Sequence, residues 1–119
     1  MKGLRRRLVG IVFLLTPALL PAASVHVVKI ESQADVRVFV VQYESQADLC
    51  VRRMRYESQA RGRDELWHYV KYESQAEVKV FFVRYESQAD LKVFFVRYES
   101  QAGWREQHPW QGRLAGGSH

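Results

Sequence analysis

From residue 25 onward the chain alternates short apolar runs with short polar ones. Val78-Lys79-Val80-Phe81-Phe82-Val83-Arg84-Tyr85 and Leu91-Lys92-Val93-Phe94-Phe95-Val96-Arg97-Tyr98 are the clearest apolar runs. They are rich in β-branched and aromatic residues and hold no Gly or Pro, which predicts strands. Val80 and Phe82 fall on one face, Phe81, Val83 and Tyr85 on the other, and Lys79 and Arg84 sit near the ends. With both faces apolar at the centre, the pattern predicts strands covered on both sides.

The polar runs are copies of one tetrapeptide. Glu-Ser-Gln-Ala occurs six times, beginning at Glu31, Glu44, Glu57, Glu73, Glu86 and Glu99, at intervals of 13, 13, 16, 13 and 13 residues. Tyr precedes five copies and Ile30 the first; Asp35, Asp48, Glu77 and Asp90 follow four of them. Ser with an acid three residues later reads as a capping box, the hydroxyl closing its own backbone turn. One repeat is then a strand of roughly six to eight residues and a capped turn. The period is too short for helical-pair or horseshoe repeats of about 20 to 47 residues. It predicts a strand, a sharp turn and a return strand crossing a small closed body. The three-residue insertion falls at Arg61-Gly62-Arg63, and Trp67 and Tyr69 after it are expected to enlarge the core. The expected fold is mostly β with short capped helical turns (small α+β), six strand–turn repeats of about 13 residues in one compact domain.

The N-terminus follows another pattern. Lys2, Arg5, Arg6 and Arg7 precede a thirteen-residue apolar stretch, Leu8 to Leu20, and the small residues Ala22, Ala23 and Ser24. This is the form of a secretory signal peptide. The stretch is shorter than the ~20 residues that span a bilayer, and Pro17 and Pro21 interrupt it. Cleavage is expected after Ala23 or Ser24. The predicted organisation is a leader over 1–24, a repeat domain over 25–104 and a flexible C-terminal tail over 105–119, with Trp104 docked. Export places the protein in the periplasm or outside the cell.

Charge changes the picture once the leader is set aside. The chain has 18 Lys+Arg against 13 Asp+Glu, but discounting the four leader cations leaves 14 against 13. The mature segment is near neutral, and a nucleic-acid partner is not expected. At 119 residues there is room for one domain. Cys50 is the sole cysteine, so burial and hydrogen bonds must hold the fold without an internal disulfide.

The run of x-Glu-Ser-Gln-Ala-Asp joined by apolar strands, interrupted once by a longer connection with a Trp after it and closing on Gln101-Ala102-Gly103-Trp104, resembles the septoil-knot family. These are small bacterial repeat proteins, many with Asp-Ser-Arg-Ser-Glu-Ala-Asp where this chain has Tyr-Glu-Ser-Gln-Ala-Asp. The resemblance covers Val25 to Trp104; the tetrapeptide's flanks, the leader and the tail depart from it. It implies a seven-crossing torus knot, against the usual un-knotted rule, and brings no enzymatic activity or ligand.

Candidate chemistry is sparse. His26, His68, His108 and His119 lack metal-ligand spacing, and six of the eight Ser belong to the repeated turn, with nothing to single one out. Gly62, Gly112, Gly116 and Gly117 form no phosphate loop. No catalytic, metal or cofactor residues are therefore assigned, and the chain reads as a non-enzyme. Arg52, Arg53, Arg55, Arg61 and Arg63, five arginines in twelve residues, form a basic cluster. They read first as an edge strand protected by charge, and second as contacts to an acidic glycan, lipid or protein of the envelope. Cys50 occupies the column of Arg37, Lys79 and Lys92, which predicts exposure; it is read as a drift position that would also permit a disulfide dimer of an otherwise monomeric protein. The leading function is a structural scaffold, followed by an envelope interaction module. A third reading is self-assembly through Val80–Val83 and Val93–Val96, opposed by the flanking Lys79, Arg84, Lys92 and Arg97.

Overall fold

The computed structural model describes residues 23–56 and 62–115. Residues 1–22 of the expected leader, residues 57–61 with the candidate Arg61, and residues 116–119 lie outside the described residues. Seven strands are present: β1 (Ser24–Val27), β2 (Val36–Val40), β3 (Leu49–Arg53), β4 (Leu66–Tyr69), β5 (Val78–Phe82), β6 (Leu91–Phe95) and β7 (Gly103–Trp104). They lie in the order β4-β1-β5-β2-β6-β3-β7, and β4 also pairs with β3, so six strands close into a barrel. All six pair in parallel; β7 runs antiparallel along β3. Among the described residues there is one strand per repeat and no return strand.

Parallel strands ordinarily need a long crossover, usually a helix. Register explains how short connections suffice. Val27 of β1 and Val36 of β2 both oppose Val80 of β5, so the two lie level across one strand. Val40 and Leu49 likewise flank Val93. The chain therefore has only to step sideways over one strand, because the tilt of the barrel has already returned it to the right height.

Each connection grips the strand it steps over. Between β1 and β2, the Val28 and Asp35 amides donate to Val80 and Lys79 carbonyls at 2.9 and 2.8 Å. Between β5 and β6, those of Val83 and Asp90 donate to Val38 and Arg37, both at 2.8 Å. The first circuit (β1, β2, β3) and the second (β4, β5, β6) thus interleave, each straddling strands of the other.

The tetrapeptides form 3-10 turns at Glu31–Gln33, Glu44–Gln46, Glu73–Gln75, Glu86–Gln88 and Glu99–Gln101. Backbone bonds close them, for example Ala34 N to Glu31 O at 3.1 Å. The expected Ser-led helical cap is not what forms: the residue before each turn is Tyr or Ile, and the serines stand exposed within it. The acid that follows works across the barrel instead. Asp35 Oδ2 accepts the Lys79 amide and Asp48 Oδ2 the Lys92 amide, both at 2.8 Å. Asp90 accepts the Arg37 amide at 2.9 Å and also meets its guanidinium at 3.0 and 3.1 Å. A carboxylate in this position locks the neighbouring strand, which is why the acid recurs.

The Arg37 contact holds the Asp90 carboxyl below the ordinary Asp range, against the opposing effect of burial. A lowered folded value means stability present above the unfolded value and lost as pH falls through the folded one. Asp90→Asn should therefore lower the denaturant midpoint at pH 7. The gap to wild type should narrow as pH falls below about 4; a gap that stays constant across the acid range would refute this assignment.

Position relative to each tetrapeptide sets direction. Six residues before its Glu stand Val25, Val38, Val51, Trp67, Val80 and Val93, all fully buried. With Val36, Leu49, Val78 and Leu91 they fill the interior. A six-stranded barrel has room only for such side chains, and each buried Val or Leu contributes about 1.5–3 kcal/mol. The outer face is only half covered, short of the burial on both sides that the apolar pattern predicts. Val41, Ala47 and Cys50 form a small buried group there, with Phe39, Phe94 and Val96 packed against it.

Two boundaries move, and β3 changes place. Ala23 and Ser24, assigned above to the leader, belong to the barrel: Ala23 is fully buried and its carbonyl accepts the His68 amide at 3.0 Å. The tail is not free over 105–115. Leu114 and Ala115 are buried, their amides bonded to Asp64 Oδ1 at 3.1 and 2.9 Å. Trp104 and Trp110 pack against the core. β3 is no edge strand, since β6 and β4 flank it. β5 and β6 are likewise paired on both sides, so Val-Phe-Phe-Val presents no free ladder.

Candidate functional site

Where strands end, the barrel has a mouth. Four residues before each tetrapeptide stand Val27, Val40, Arg53, Tyr69, Phe82 and Phe95. Register puts them on the inward side: Arg53 pairs with Trp67, Val25 with Tyr69 and Val51 with Phe95. Five are apolar or aromatic and one is a cation.

Around β3, β4 and β1 the mouth opens into two adjoining hollows. One, of about 480 Å³, is lined by His26, Val27, Lys29, Arg53, Tyr69, Val70 and Lys71. The other, of about 460 Å³, is lined by Arg53, Met54, Arg55, His68 and Tyr69. Arg53 and Tyr69 are common to both, and among the described residues neither lining holds a carboxylate. The Arg53 guanidinium lies 4.7 Å from the Tyr69 ring centre. Tyr69 is braced edge-on by Trp67 at 6.3 Å. Burial pushes the Tyr69 hydroxyl up, partly offset by Arg53, so the ring stays neutral while the guanidinium supplies the charge.

The two imidazoles are held alike. His26 Nδ1 faces the Val70 carbonyl at 3.2 Å, and His68 Nδ1 the Met54 carbonyl at 3.4 Å. A ring nitrogen facing a carbonyl must carry the hydrogen, which leaves Nε2 of each as the acceptor in the neutral ring.

The four arginines of the cluster that lie among the described residues do not converge. Arg52 points outward and donates to the Arg97 carbonyl, serving the wall. Arg63 is engaged by Glu65 and Glu99, each at 2.7 Å. Arg53 and Arg55 alone reach the hollows. Sequence reasoning missed His26, Lys29, His68, Tyr69 and Lys71, because they come from repeats far apart in the chain. Cys50 is buried at 2 % exposure, contrary to the exposure its column predicts. Burial pushes its thiol up, Glu44 adding to this and Arg105 opposing it. The Arg105 guanidinium takes Glu44 at 3.2 Å, the glutamate that sister repeats pair with the cation Cys50 replaces. A disulfide dimer through Cys50 would need the wall to open.

Among the described residues no group of three or more His, Cys, Asp or Glu is placed to hold a metal ion. No helix among them is long and apolar enough to cross a membrane. Comparison with curated proteins and with solved structures finds no match. The model of one domain family matches residues 22–105, the whole barrel together with β7. With its strands interleaved in two circuits and its core closed by a Gly-Trp strand, the chain belongs to the 7(1) septoil knot domain family.

Proposed function

We propose that the chain is an exported, non-enzymatic scaffold domain whose backbone is wound into a seven-crossing torus knot. The carrying observation is the mutual straddling: the β1–β2 connection grips β5, and the β5–β6 connection grips β2. Two circuits that step over one another in this way are threaded together. The basic, apolar and small-residue order of 1–24 supports export, with cleavage on the N-terminal side of Ala23 so that β1 stays whole. The interior is filled by Val, Leu and Trp67, which suits a mechanical role better than turnover of a substrate.

Pulling single molecules by their two ends tests the winding. A knotted chain stops short of its full contour of roughly 3.3–3.6 Å per residue, because the knot tightens. Extension to the full contour would sink the proposal.

A second reading, an interaction module for an acidic envelope ligand, is favoured by the hollows on β3, β4 and β1, whose described lining holds Lys29, Arg53, Arg55 and Lys71.

A further inference from the structure

Aligned on their tetrapeptides, the repeats diverge at the two positions five and four residues before the Glu. In chain order the outward position reads His26, Phe39, Arg52, His68, Phe81, Phe94, with no regularity. In barrel order it reads Phe81, Phe39, Phe94 on β5, β2 and β6, then Arg52, His68, His26 on β3, β4 and β1. The inward position follows only in part: Phe82, Val40, Phe95, then Arg53, Tyr69, Val27, with Val on both sides and the one cation, Arg53, on the second. The first, third and fourth repeats have exchanged Phe for basic or polar side chains, and the winding sets these three side by side. Independent drift has no reason to sort by neighbourhood in a barrel whose neighbours are distant in sequence.

Among the described residues no ion pair takes up Lys29, Arg53, Arg55 or Lys71. Arg84 and Arg97 on the other half have none either; what sets the side of β3, β4 and β1 apart is that its four cations gather around the two hollows.

We infer that the side of β3, β4 and β1 binds an acidic polysaccharide, a chain with carboxylates or sulfates on successive sugar units; this deepens the interaction-module reading and rests on it. The two hollows are of the size of small-molecule sites, and meet at the Arg53–Tyr69 pair, so consecutive sugar units can occupy them. Tyr69, Val27, Val70 and Met54 offer apolar surface to the C–H faces of sugars. Lys29 and Lys71 in one hollow, Arg55 in the other and Arg53 between them meet the acids. Nε2 of His26 and of His68 accepts from hydroxyls. A phosphate backbone would leave the apolar lining of Val27, Met54, Tyr69 and Val70 unused, and a bilayer is an outcome of the test below.

The test is calorimetric titration of the purified chain with polygalacturonate and with heparin. Lys29→Glu with Lys71→Glu, and Arg53→Glu with Arg55→Glu, should each weaken binding about tenfold or more. Lys79→Glu with Lys92→Glu makes the same charge change on the other half and should leave affinity within about threefold. Far-UV circular dichroism checks the fold, and Gln replaces Glu in any pair that unfolds. No binding to either polymer overturns the inference together with the reading beneath it. Equal weakening by all three pairs overturns the assigned face alone. Tighter binding at the same salt to phosphatidylglycerol vesicles or to a thymidine oligonucleotide overturns the ligand class.

Discussion

Asp64→Ala should cost about 3–5 kcal/mol of stability, the scale of breaking a buried charged network from one side. Asp64 is 6 % exposed and stands just before β4. Its Oδ1 accepts the consecutive amides of Leu114 and Ala115; its Oδ2 accepts the Gly112 amide and, at 3.1 Å, the Trp104 indole. Four donors from the C-terminal segment thus converge on one carboxylate. Without it they must stay unpaired, at about 1–3 kcal/mol each, or pull away to water and uncover Leu114, which is fully buried. The second course is cheaper and caps the loss. Denaturant unfolding followed by tryptophan fluorescence should show a lowered midpoint and a red shift from Trp104 and Trp110 before the main transition. Asp64→Asn keeps one accepting oxygen and should lose roughly half as much. A variant within 1 kcal/mol of wild type, with unshifted emission, would refute the account.

The tail shows why sequence reading fails where it does. Residues 105–115 abandon the period and hold Gly, Pro and polar residues, a composition that predicts a loose end. What docks them is one carboxylate at the insertion, and no local pattern links Asp64 to Leu114. Strand positions were legible because the tetrapeptide marks them and alternation of inward Val and Leu survives in four of the six repeats. Strand order was not legible, since a sideways step and a hairpin return look alike in thirteen residues. The misreading of Ser and Asp as one capping box has the same root. A local motif explained the Asp, whereas its bond lies across the barrel at the strand being stepped over. The mouth was half legible: Arg53 and Arg55 stood out as charge, but Lys29 and Lys71 occupy a position that is basic in most repeats and gain meaning only beside them.

Trp67→Val is the sharpest test of how the interior is filled, because Val stands at the same position in every other repeat. By repeat consensus the change should be harmless. The structure predicts a loss of about 3–5 kcal/mol. Two positions earlier, where sister repeats place inward Ala23, Val36, Leu49, Val78 and Leu91, the fourth repeat has Glu65, turned out to Arg63 at 2.7 Å. The indole of Trp67 reaches back toward that gap: its Nε1 donates to the Asp64 carbonyl at 2.7 Å. One large side chain therefore does the work of two smaller ones, and Val leaves a void and an unpaired carbonyl together. The edge-on contacts to Phe95 at 5.9 Å and Tyr69 at 6.3 Å go as well, so Arg53 loses the ring it rests on. If the indole spans two layers, Trp67→Val with Glu65→Leu should recover part of the loss, since Leu restores the missing inward residue. Chemical denaturation of the two variants decides the matter. A single variant as stable as wild type, or a double variant no better than the single, would show that the interior is filled in some other way.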